Sequence, residues 1–116
     1  MQKYRDLEDR TFRFAKRCRD FIKLLPKSLS NVEYGKQLVR SSGSQAANYI
    51  EANESLSKKD FVFRVKICRK ESKESNLWLN LCEIGESKYA QEEQKDLVRE
   101  VTELRKIFSA ILDKSK

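Results

Sequence analysis

The chain has 116 residues, 25 of them Lys or Arg and 18 Asp or Glu, giving a net charge of +7. That length predicts one domain spanning residues 1–116 with a modest core, and one proline with three glycines favours long helices over a sandwich or an α/β fold. Histidine is absent, which removes the commonest general base and transition-metal ligand together. No Walker A, GxGxxG or GxSxG pattern is present either, so no catalytic, cofactor or metal residue is assigned and an enzyme is not expected.

The first helix is predicted over residues 4–25, where Leu7, Thr11, Phe14, Cys18, Phe21 and Leu25 recur at three- and four-residue steps. Pro26 stops it, because the residue before proline is pushed out of helical geometry. Asn31 is the expected N-cap of a second helix over 32–56, with Glu33 in its first turn. Leu38, Ser42, Gln45, Tyr49, Ala52 and Leu56 carry the apolar spacing through the small-residue stretch SSGSQAANY. That stretch, Gly43 included, therefore reads as a close-packed helix centre and not as a linker.

Ser57 is placed to cap a third helix over 58–84, with Asp60 completing a capping-box pattern. Phe61, Val65, Cys68, Ser72, Ser75, Leu79 and Cys82 form its seam, and Gly85 is the expected terminator. A fourth helix over 91–113 has one seam, Leu97, Val101, Leu104, Phe108 and Ile111. Four amphipathic helices with short links predict an all-α, antiparallel up-down-up-down four-helix bundle.

Phe63, Ile67, Trp78 and Leu81 form a second apolar stripe on the third helix. It is either a wide core contact or a subunit interface, and the second reading, anchored by Trp78, predicts a homo-oligomer. The positive charge is concentrated in the first and third helices. Residues 1–30 hold nine basic against four acidic groups, and residues 58–85 hold seven against four. Arg10, Arg13 and Arg17 share one face, as do Lys59, Lys66, Lys70 and Lys73. These faces read either as solvated surface or as RNA- or DNA-binding stripes that track the phosphate backbone. Three cysteines without a CxxC pair predict buried free thiols, and the charged opening MQKYRDLEDR with no apolar run predicts a cytoplasmic protein without membrane association.

From residue 31 to 82 the chain resembles the bacterial four-helix-bundle family named after proteins encoded in intervening sequences of 23S ribosomal RNA genes. Glu33, Tyr34 and Gly35 match its first motif; Arg40, Ser44, Asn48, Ile50 and Glu51 its second; Lys59, Phe61 and Arg64 its third. Gln45 stands where the family is usually hydrophobic, and Ala52 where it has glycine. The resemblance implies a ring-like homopentamer without enzymatic activity. It also implies kinship with the accessory protein of diversity-generating retroelements, which works with a reverse transcriptase and its RNA.

Arg40, Ser44, Asn48 and Glu51 share a helix face, and Arg40 and Glu51 stand roughly 16 Å apart along it, too far to pair. Arg64 is the expected partner of Glu51. This polar stripe is either a register device between helices two and three or a ligand site. The leading expectation is a non-catalytic homo-oligomeric nucleic-acid-binding accessory protein. The alternative is a scaffold that docks a partner such as a reverse transcriptase.

Overall fold

The computed structural model describes the backbone of residues 2–116 and the side chains of residues 6–116. Four α-helices follow one another: α1 (Gln2–Ile22), α2 (Leu29–Asn53), α3 (Lys58–Leu81) and α4 (Lys88–Lys114). Each packs on its two neighbours in an up-down-up-down bundle measuring 47 × 23 × 19 Å, with α2 against α3 the most extensive contact and α1 against α4 the slightest.

The ends of the helices follow local chemistry. Past Ile22 the chain tightens into i→i+3 turns, with Lys23, Leu24 and Leu25 donating to Asp20, Phe21 and Ile22, before Pro26 forbids continuation. Ser28, and not Asn31, caps α2: its hydroxyl accepts from the Asn31 amide at 3.1 Å. Both residue types cap well, but the Asn31 side chain is taken elsewhere. Its Nδ2 donates to the carbonyls of Pro26 (2.8 Å) and Glu83 (2.9 Å), and its Oδ1 accepts from the Glu83 amide at 2.9 Å. One buried amide thereby joins the α1–α2 and α3–α4 connections.

Helix α2 ends at Asn53, so Leu56, in phase with its seam, falls in the turn and is 100% exposed. Ser57 caps α3 as expected, accepting from the Asp60 amide at 3.1 Å. Helix α3 stops at Leu81 with an extended Cys82, so Gly85 terminates the link and not the helix. It has φ +78°, and a Cβ there would lie 2.9 Å from Pro26 Cγ. Ser87 then caps α4 three residues earlier than the apolar pattern implied.

The core is the expected seam, with two refinements. Phe14, Phe21, Leu38, Tyr49, Val65, Leu79, Leu97, Leu104 and Phe108 are fully buried, whereas Phe61 and Ile111 lie at its margin and Leu112 is drawn in. Where α2 meets α3 the interior is polar: Ser41 and Ser75 share a 2.7 Å hydrogen bond, and Gln45 Nε2 donates to Ser72. Small serines let these helices approach, and their hydroxyls satisfy one another.

Gly43 plays no part in that approach. A Cβ there would meet nothing within 4 Å, so its small size is not used inside the bundle. The close glycine is Gly35, whose Cβ would stand 3.0 Å from Ile22 on α1.

Candidate nucleic-acid interface

The two basic stripes have different fates in the fold. On α1, Arg10 forms a two-pronged pair with Glu100, through Nε at 3.1 Å and Nη2 at 2.9 Å, and reaches Glu103 at 3.0 Å. Arg17 grips Glu93 in the same way, at 3.3 and 3.1 Å. Arg13 pairs along its own helix with Asp9 at 2.7 Å. Hydrogen bonds to Glu100 and Glu93 raise the Arg10 and Arg17 guanidinium pKa values above their ordinary range. These arginines therefore staple α4 to α1 across the thinnest seam of the bundle, and glutamates from α4 occupy much of their hydrogen-bonding capacity.

On α3 the positive charge is free. Lys59, Lys66, Lys70 and Lys73 are exposed, and among the described residues none has a carboxylate within ion-pair distance. Arg69 and Arg105, half-buried, likewise have no carboxylate within ion-pair distance among the described residues. The Gln94–Leu79 hydrogen bond (2.8 Å) fixes the antiparallel register of α3 and α4. Eleven residues along each helix from it, Arg105 comes level with Cys68 and its neighbour Arg69. The charge is thus sorted: Glu93, Glu100 and Glu103 turn towards α1, while α3 keeps unpaired cations.

The polar stripe of α2 is an internal network. Arg40 donates to both oxygens of Glu71 at 3.3 Å and to Glu74 at 2.7 Å. Ser44 donates to Glu71 at 3.0 Å, Asn48 Nδ2 donates to the Ser44 carbonyl at 2.9 Å, and Arg64 donates to Asn48 Oδ1 at 2.9 Å. Arg64 thus partners Asn48 and not Glu51, which lies exposed one turn further on. The hub is Glu71, buried at 6% exposure. Sequence reasoning passed it over as one acid in a charged helix, although it stands one residue before the seam position Ser72.

The second stripe of α3 does not form one patch. Trp78 is half-buried, packed on the core and stacked on Tyr34 with centroids 6.0 Å apart. Ile67 is also half-buried, which leaves Phe63 and Leu81 as exposed ends about 27 Å apart. A more continuous apolar line lies on α2, where Val32, Val39 and Ile50 are about half exposed and Gly43 sits among them. Spacings of seven and eleven residues put all four on one side.

Among the described residues no three Cys, Asp or Glu side chains are grouped to hold a metal ion. Among the same residues no helix is long and apolar enough to cross a membrane.

Comparison with protein families matches residues 6–110 to the model of the 23S rRNA-intervening sequence protein. Among solved structures, the chain is similar to a protein of unknown function from the S23 ribosomal protein family of Bacteroides thetaiotaomicron. The two share 28% identity over 91% of this chain and 97% of the other, with a TM-score of 0.75. No curated protein matches.

Proposed function

Because the chain belongs to the 23S rRNA-intervening sequence protein family, we propose that it is a non-catalytic, self-associating cytoplasmic accessory protein that holds RNA or DNA by the phosphate backbone. The observation that carries this reading is the unpaired state of Lys59, Lys66, Lys70 and Lys73 on the outer face of α3, while the α1 arginines are engaged by α4. Free ammonium groups release counterions from phosphates at little cost; a guanidinium already gripped by a glutamate must first break that pair.

A second copy of the chain is the proposed cover for Val32, Val39, Gly43 and Ile50, with the pentamer implied by the resemblance as the assembly. The same exposed line supports the second reading, a scaffold that docks a different protein such as a reverse transcriptase.

The test is anisotropy of labelled RNA titrated with salt. Four lysine contacts give a slope of log affinity on log salt of about −3 for a single strand. Lys66→Glu, Lys70→Glu and Lys73→Glu together should abolish binding without unfolding the bundle. Unchanged binding by that folded variant would remove α3 as the surface.

A further inference from the structure

At the start of α3, Lys58, Lys59, Val62, Phe63 and Lys66 line an open hollow with an apolar floor, a lysine rim and no acidic lining residue. Phe63 is 57% exposed, which a core or solubility role leaves unexplained. Its ring is nonetheless held: the Arg64 guanidinium lies 5.9 Å from the ring centroid, and Arg64 is itself fixed by its 2.9 Å hydrogen bond to Asn48. Lys59 stands one turn before Phe63 and Lys66 one turn after it, about 10 Å apart along the axis.

We infer that Phe63 is a stacking platform for one base of a single-stranded nucleic acid, with the phosphates on either side of that base lying over Lys59 and Lys66. The inference rests on the proposed nucleic-acid function and specifies its ligand. An aromatic face bordered by ammonium groups fits unpaired bases, because base–aromatic stacking tolerates every sequence but needs the base out of a duplex. Charge complementarity selects this occupant over an apolar protein segment, which would have to bury the three rim lysines without partners. Arg64, fixed through Asn48, acts as a positioning residue that keeps the ring from folding onto the helix.

The experiment measures anisotropy of a labelled oligouridylate and of a labelled RNA duplex of equal length, with folding followed by circular dichroism and mass by light scattering. Phe63→Ala should weaken the oligouridylate about tenfold and leave the duplex within about twofold, whereas Phe63→Tyr should retain binding. Equal weakening of both probes, or no weakening of either, overturns the stacking assignment. A fall in mass with unchanged RNA affinity overturns it in favour of a subunit contact at Phe63. Loss of both probes on lysine reversal, with Phe63→Ala neutral, leaves the backbone reading standing and removes the platform alone. Absence of binding by the unmodified protein at low salt removes both.

Discussion

Arg40 on α2 reaches across to α3 and lays its guanidinium along the Glu71 carboxylate, Nη1 to Oε2 and Nη2 to Oε1, each at 3.3 Å. The two ends of this pair are unlike. The Glu71 side chain is 8% exposed and that of Arg40 48%, so removing Arg40 strands a buried charge, while removing Glu71 leaves an exposed one that still pairs with Glu74. Arg40→Met is therefore expected to cost about 2 kcal/mol, and Glu71→Gln less, because the amide can still accept from Ser44. Urea denaturation of the single and double variants checks this; a double variant more stable than Arg40→Met alone identifies the stranded carboxylate as the source of the loss, and one equally or less stable overturns it.

The arginine staples make a separate prediction. Arg10→Gln with Arg17→Gln removes the charged contacts that Glu100 and Glu93 make across the α1–α4 seam. The expected result is a loss of about 1–2 kcal/mol in stability, modest because both pairs are partly exposed, with RNA affinity changed less than threefold. Thermal denaturation and anisotropy on the same variant separate these effects, and a large loss of RNA binding in a fully folded variant would return the arginines to the binding surface.

Gly43 offers a third test. Open space around its Cβ position means alanine brings no clash, so Gly43→Ala should stabilise the fold by about 1 kcal/mol through helix propensity. Gly43→Glu should leave the fold intact yet lower the mass seen by light scattering, which is expected to be a multiple of 13.7 kDa. A monomeric unmodified protein would show that the apolar line on α2 is not a contact between copies.

The buried thiols set an alkaline limit. Burial pushes Cys68 up to about 12 and Cys82 up to about 11 from the ordinary 9.0, and Cys18 is raised for the same reason. The folded chain thus keeps protons that the unfolded chain gives up. Their contribution is complete below pH 9 and falls as pH rises through 9 towards 11 and 12, by roughly 1.4 kcal/mol per pH unit for each thiol. Denaturant midpoints across that range should fall, and should fall less steeply when all three cysteines are alanine.

Periodicity made the core legible because burial repeats with the helix: Leu38, Gln45 and Tyr49 had to share a side whatever surrounded them. Helix ends were less legible, since Ser28 and Asn31 are both good caps and the choice rests on the Asn31 side chain being held by Pro26 and by the Glu83 backbone, 52 residues away. The fate of the arginines was hidden for the same reason. Their common face is written in one helix, but Glu93 and Glu100 lie 76 and 90 positions away from their partners. Gly43 was misjudged although the spacing contained the answer: with Ser42 and Gln45 turned inwards, Gly43 between them had to turn out.

Asn31 has a consequence for the integrity of the chain. By holding Pro26 and Glu83 in one hydrogen-bonded knot, it makes the two connections at that end of the bundle a single body, so a protease cut near Lys27 or Glu86 severs the chain without freeing its parts. The opposite end has Leu56 fully in solvent, and the tie described there runs from Asn53 Nδ2 to Glu8 on α1 at 2.6 Å and not across the α2–α3 turn. A cut there leaves α2 and α3 joined by their extensive interface further along the bundle, and the turn is the place where added sequence is best tolerated.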